Sequence, residues 1–238
     1  MGEIIQSLWV GPRLSAMERT CIASFLRHGH SFHLYTYDRP EGVPPGTVVL
    51  DANAIIPSSQ IFTYKEHNTY AGFANFFRYR LLLENGGWFV DADTICLRPF
   101  HFDGDCVFSS EGLNGRQTVN LSAMRVPRGS AVAEYCWAAC EKLDTAKLKW
   151  SECGPQLIAR AVETCSLQRY VQPPGVFCPV HFSEWKKLLD PSADCHFKNA
   201  TYAVHLWNEL WRREGLDKDA RYPRGCVYEE LRHRYLGT

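Results

Sequence analysis

Apolar residues in this chain recur at two-residue spacing in some stretches and at three- or four-residue spacing in others, and the changes of period mark out elements. Glu3–Val10 reads as a first strand, closed by a Gly11-Pro12 turn. Ser15 caps a helix running to about His28, with Glu18 three residues on as its capping-box partner. Ser31–Tyr37 alternates Phe32, Leu34 and Thr36 against His33, Tyr35 and Tyr37, the pattern of a second strand. Residues 38–50 are rich in Pro and Gly and read as loop, and Asp51–Ile56 as one helical turn. From Ala71 on, Phe73, Phe76, Phe77, Leu81 and Leu83 form a helical stripe that Asn85-Gly86-Gly87 stops. Trp88-Phe89-Val90 follows as a short buried strand, and Val107–Ser110 and Val119–Val126 as further strands. Gly129–Leu143 reads as a helix. Gly154-Pro155 opens another, ending near Cys165, with Pro155 suited to its first turn. Residues 170–200 read as loop with short strands, Thr201–Leu206 as a last strand and Tyr228–Tyr235 as a closing helix. Strands alternating with helices predict an α/β class with a mainly parallel, Rossmann-like sheet. Without a repeat or low-complexity linker, residues 1–238 read as one domain.

Composition narrows the partners. The 238 residues are 45% hydrophobic and 22% charged, enough for an α/β core. Lys plus Arg and Asp plus Glu are 26 each, and no block of like charge occurs, which argues against nucleic acid or an anionic surface as partner. No apolar run approaches the ~18 residues of a membrane span. The opening MGEIIQSLWVG lacks the charged-then-apolar plan of a signal peptide. Ten cysteines occur without a Cys-x-x-Cys, and Cys136 and Cys140 stand at helical i, i+4 spacing, so they read as reduced, mostly buried thiols. The resulting expectation is a cytoplasmic protein, free or peripheral to a membrane.

The candidate chemistry lies after the Trp88–Val90 strand. Asp91 and Asp93 stand at its carboxyl end, where open α/β sheets place ligands. Two carboxylates at i and i+2 are costly unless something positive meets them. A hard divalent cation is the natural partner, and it can share its ligands with a nucleotide diphosphate. Manganese or magnesium suits such a set better than zinc, which prefers more nitrogen or sulfur.

The run from Ala71 to Phe100, with its helix, Gly-Gly, aromatic strand and Asp-Ala-Asp, resembles the sugar-nucleotide-binding region of glycosyltransferase family 32, and is similar to the catalytic core of the clostridial glucosylating toxins. In this sequence Ala74-Asn75 stand at the family's Ser-Asp positions and Arg78-Tyr79 at its Arg-Tyr positions, Arg78 thirteen before Asp91. Gly86-Gly87-Trp88 and Asp91-Ala92-Asp93 fill the rest, and Asn75 replaces a charged Asp by an amide. The resemblance implies a GT-A fold and a metal-dependent, anomer-retaining hexosyltransferase of polysaccharide biosynthesis. It implies a UDP- or GDP-sugar donor and a glycan or small-molecule acceptor. It assigns Asp93 as main cation ligand, Asp91 to ribose and sugar hydroxyls and to orienting the cation, and Arg78 to the sugar or phosphate. Trp9 is assigned to stacking on the base, and Asn75, Tyr79, Gly87, Ala92 and Trp207 to the donor site. His205, in YAVHLWNELW, matches a family His- and Trp-containing segment and is a third cation ligand or a donor to the diphosphate, with Asn208 and Trp211 as further candidates. Gly154-Pro155 matches a segment on the acceptor side.

Two other readings stand beside this one. WFVDADTI approaches the haloacid-dehalogenase phosphotransferase motif, with Asp91 as nucleophile and Asp93 as general acid. Its fifth position is Ile95, and only Asp217 and Asp219 offer a later acidic pair. A catalytically silent sugar-binding protein is the third reading, and retention of Asp91, Asp93, Arg78 and Trp9 argues against it.

Overall fold

The structure is a computed structural model that describes residues 2–237. Its strands are β1 (Ile4–Trp9), β2 (Ser31–Thr36), β3 (Val48–Asp51), β4 (Gly87–Val90), β5 (Thr94–Cys96), β6 (Val107–Leu113), β7 (Arg116–Val126) and β8 (Ala203–His205). Its helices are α1 (Ala16–Arg27), α2 (Ala71–Asn85), α3 (Ala131–Cys140), α4 (Pro155–Thr164), α5 (Pro174–Phe177), α6 (Asn208–Arg213) and α7 (Val227–Leu236).

Six strands form one sheet in the order β3-β2-β1-β4-β7-β6, and β5 pairs with β8 in a second, two-stranded sheet. The β3–β2, β2–β1 and β1–β4 pairs are parallel, and β7 is antiparallel to both neighbours. Only β7 therefore runs against the rest of the large sheet, which is the mainly parallel GT-A arrangement. β4 is central and buried on both faces. Phe89 joins α2, α3 and α4 in one core, while Trp88 and Val90 join Ile22 and Phe25 of α1 in another. A third cluster, around Trp211, Tyr228 and Leu231, packs α6 and α7 against α1 and the small sheet.

Local chemistry explains most element ends. The Ser15 hydroxyl accepts from the Met17 amide at 3.3 Å, and Glu18 accepts from the Ser15 amide at 2.8 Å, completing the expected box. Pro155 occupies the first turn of α4. Eight cysteines are buried, with Cys165 and Cys195 half-buried.

Four stretches depart from the sequence reading. Val48–Leu50 was expected as loop and Asp51 as the start of a helical turn, and Val48–Asp51 is the edge strand β3. It is four residues long and half-exposed, too short to show a period. Residues 170–200 hold no strand among the described residues. Pro173-Pro174 directs the chain into α5, and a 3-10 stretch at Phe182–Leu189 buries Trp185 and Leu188 three positions apart. β5 and α6 had no counterpart in the sequence reading. Each is too short for periodicity to declare itself, yet together they complete the site.

Candidate active site

The chain leaves β4 through a tight turn at Asp91–Thr94, closed by the Thr94 amide donating to the Asp91 carbonyl at 3.0 Å. The Asp91 amide donates to the Ser122 carbonyl of β7, so the turn is stitched to the neighbouring strand. β5 then pairs with β8 in a register that sets Thr94 opposite His205. That pairing swings the imidazole over the acid pair. Ligand atoms of Asp91, Asp93 and His205 lie within 4.8 Å of one another, with His205 Nε2 3.2 Å from Asp93 Oδ1 and 3.9 Å from Asp91 Oδ2. Two carboxylate oxygens and one imidazole nitrogen suit a hard to borderline divalent cation such as manganese or magnesium.

Each acid has its own anchor. After His205 the Leu206 amide donates to the Asp93 carbonyl, and the chain reverses at Trp207, a bulky residue held at φ 60°. The turn aims the Asn208 amide, first of α6, at Asp93 Oδ2 at 2.7 Å. Burial alone would raise the Asp93 carboxyl, but His205 and the Asn208 amide outweigh it and hold it below its ordinary range. Burial likewise opposes charge on His205, and Asp93 overrides it, so the imidazolium is favoured well above its usual range. Asp91 goes the other way. Burial and the Asp93 charge raise it despite the Arg78 guanidinium.

Arg78 is 1% exposed. Its guanidinium lies over the Phe89 ring, donates to the Leu121 carbonyl at 2.7 Å and is paired with Asp91. Expected at the donor itself, it stands behind Asp91 and fixes that carboxylate. Asn75, one turn earlier on the same face of α2, is half-buried against the Cys153 thiol. A Cβ on Gly154 would stand 3.0 Å from its amide nitrogen, so Gly154-Pro155 begins α4 in direct contact with this face.

The other expected residues divide. Trp207 packs on His205 with ring centroids 4.1 Å apart, and its indole donates to the Val180 carbonyl at 2.9 Å. Ala92 is the half-exposed tip of the turn between the two acids. The parallel register Ile5–Trp88 and Gln6–Phe89, carried on, sets Trp9 level with Ala92 at the same sheet edge. Trp9 is half-buried, with Lys218 Nζ 5.4 Å from its ring centroid, so one indole face already carries a cation. Tyr79 and Gly87 are not brought to the acids. Tyr79 is wholly buried beside Cys136 and Cys140, and Gly87 sits at the opposite end of β4. Trp211 is core, its indole donating to the Leu206 carbonyl at 2.8 Å.

Beneath the acids lies a polar network absent from the sequence reading. Asn120 of β7 accepts from Ser109 Oγ at 2.5 Å and Ser122 Oγ at 3.1 Å, and donates to Cys178 Sγ at 3.0 Å. Nearby, burial pushes the Glu111 carboxyl up against the pull of His205 and His181. The available signal was Asn120 and Ser122 at alternate positions on a strand whose neighbours are apolar.

Comparison with known proteins places this geometry in context. Residues 27–113 match the family described as glycosyltransferase sugar-binding region containing DXD motif, which spans Asn75, Arg78 and both acids. Residues 144–235 match the alpha 1,4-glycosyltransferase conserved region, which spans Gly154, His205 and Trp207. The chain is 34% identical over 175 residues to lactosylceramide 4-alpha-galactosyltransferase of Pongo pygmaeus, covering 68% of this chain and 76% of that protein. The protein of the same name from Mus musculus is 29% identical over 183 residues, covering 68% of this chain and 46% of that one. The Homo sapiens protein is 32% identical over 175 residues, covering 68% and 47%. The chain thus spans about half the length of the mouse and human relatives. In fold it is similar to the apo-form glycosyltransferase GlyE of Streptococcus pneumoniae TIGR4, with a TM-score of 0.51, 13% identity and coverage of 98% of this chain and 60% of that one.

Proposed function

We propose that this chain, which belongs to the DXD-containing glycosyltransferases of family 32, moves a hexosyl group from a nucleotide-sugar donor to a glycan hydroxyl with the help of a divalent cation. The observation that supports this most is the convergence of Asp91, Asp93 and His205 at the carboxyl edge of the sheet. Their oxygens and nitrogen would hold manganese or magnesium, and the cation would neutralise charge on the departing diphosphate.

The protein's own residues supply the rest. Asp93 is held in its charged form by His205 and the Asn208 amide, and on cation binding His205 would give up its Nε2 proton and turn that nitrogen from Asp93 to the cation. Asp91, fixed from behind by Arg78, keeps a partly open carboxylate for the donor's hydroxyls and for orienting the cation. The base stacks on the Trp9 face opposite Lys218. Asn75 and Trp207 border the donor sugar. The names of the relatives favour a galactosyl donor, a lactosyl acceptor and an alpha-linked product, which from an α-configured donor would mean retained configuration. The haloacid-dehalogenase reading draws no support, because both family matches are to glycosyltransferase regions.

The test is nucleotide release from UDP-galactose, UDP-glucose and GDP-mannose, with manganese or excess chelator, with and without lactose. Cation-dependent release from at least one donor is expected, with acceleration by lactose. No release from any donor, with the cation and lactose present, would leave a silent binding protein and overturn the proposal.

A further inference from the structure

The segment leading into α4 carries a second aromatic feature besides the one at the acid pair. Trp150 is 37% exposed. It is also held rigidly. The Arg213 guanidinium lies 4.4 Å from its ring centroid, and Arg213 is itself fixed by donating to Glu209 at 2.9 Å. Tyr64 and His67 flank the ring at 5.1 and 5.2 Å. The next residue, Ser151, is held at φ 67°, a conformation that a non-glycine residue adopts at a cost. The rest of the indole borders a cavity of about 300 Å³, with Lys149, Glu152, Gln156 and Arg160 around it.

We infer that this cavity is the subsite for the acceptor glycan, with Trp150 as the platform on which a hexose ring stacks. The inference rests on the reading of the chain as a sugar transferase. A hexose presents an apolar C–H face and pairs of hydroxyls. A fixed indole matches the first without losing side-chain freedom on binding. Arg160 offers a guanidinium fork for the second, and Gln156, one helical turn earlier on α4 with Nε2 donating to Ser151 Oγ at 2.9 Å, offers its amide oxygen. One Glu152 oxygen accepts from the Lys149 amide at 3.1 Å, leaving the other for a hydroxyl. The mixed signs of Lys149, Glu152 and Arg160 favour a neutral polar ligand over a phosphate.

The platform is also joined to the donor site from two sides. Asn208, at the start of α6, holds Asp93, and Arg213, at its end, underlies Trp150. On the other side Gly154, four residues past Trp150, meets Asn75 on the Arg78 face of α2.

The test is saturation-transfer NMR with lactose and cellobiose as probes, on the full chain with manganese and UDP, alongside acceptor KM. Ring protons of at least one disaccharide should receive saturation in the wild type. Trp150→Ala should weaken that affinity and raise acceptor KM by about tenfold, the size of a modest hot-spot truncation, while UDP affinity stays within about twofold. Trp150→Phe should recover part of the loss. Should Trp150→Ala misfold, Gln156→Ala and Arg160→Ala, both on exposed positions, should each weaken disaccharide affinity. A folded Trp150→Ala with unchanged disaccharide affinity, or with an equal loss of UDP affinity, overturns the inference. So does a wild type that turns over a nucleotide sugar yet shows no contact with either disaccharide. The converse result, Trp150-dependent disaccharide binding without turnover of any donor, defeats the transferase reading and leaves the platform standing.

Discussion

The two ends of β4 carry conspicuous short motifs, Gly86-Gly87 before it and Asp91-Ala92-Asp93 after it, and they do opposite kinds of work. At the amino end the constraint is shape. Gly86 has φ 67°, and a Cβ there would stand 2.3 Å from the Arg128 amide nitrogen. The buried Gln6 amide donates to the Gly86 carbonyl at 2.8 Å and the Trp88 carbonyl at 3.2 Å, so these two backbone carbonyls are matched. At the carboxyl end the constraint is charge. Three ionisable groups crowd together, Asp91 and Asp93 are pushed in opposite directions, and Trp207 takes a left-handed backbone to complete the arrangement. A strand end that satisfies itself is built for the fold. One that concentrates charge and strain is built for a ligand.

Substitutions should separate the two ends. Gly86→Ala should have the largest effect, a stability loss of about 4 kcal/mol or failure to fold, because the neighbour it meets is backbone. Gly87→Ala, whose nearest neighbour would be the Gln6 side chain at 3.4 Å, should cost less. Denaturant melts compare them, and equal losses would mean that the positive φ common to both glycines, not the Arg128 contact, sets the cost at this end.

Asp93→Asn should lower turnover by about 10²–10³-fold, the scale for removing one preorganised electrostatic contact. From sequence, relief of repulsion between the acids would be expected to stabilise the apo protein. The structure reverses that: His205 and the Asn208 amide stabilise the Asp93 charge, so the variant should melt at or below the wild-type temperature. A higher melting temperature would mean that repulsion dominates.

Arg78→Lys should weaken cation affinity by roughly tenfold to a hundredfold, the range for partners that orient metal ligands. A lysine cannot reach the Leu121 carbonyl and Asp91 with one planar fork. Manganese titration of the folded variant checks this, and wild-type affinity would remove the positioning role.

The smallest effect belongs to Trp9→Ala, expected in the lower part of the ~1–3 kcal/mol range for base stacking because Lys218 already covers one face. It should appear as a higher donor KM with kcat little changed. A large fall in melting temperature with unchanged nucleotide affinity would mark Trp9 as core instead.

Much of the frame was legible because it is local. The Ser15–Glu18 box, the α2 stripe, the Gly-Gly stop and the acid pair are each set within a few residues, and periodicity or turn chemistry reveals them. The site was legible only in halves. His205 lies on β8, within the stretch the sequence marks as a strand, but it reaches Asp93 through pairing with β5, a strand of three residues that no period can announce. The Asn208 anchor depends on the reversed backbone at Trp207, and the Asn120 network on pairing between β6 and β7. Tyr79 and Gly87 show the converse: a motif lists them beside functional neighbours, and the fold turns one into the core and sets the other at the far end of the strand.

The central claim is that Asp91, Asp93 and His205 form a divalent-cation site that a nucleotide diphosphate completes. Electron paramagnetic resonance titration of manganese into the wild type and Asp93→Asn, with and without UDP, tests it most directly. The account predicts one manganese ion per wild-type chain, bound more tightly with UDP present, and binding in Asp93→Asn weakened at least about tenfold. Equal manganese affinity in the two proteins, or no manganese bound by the wild type in the presence of UDP, would contradict it.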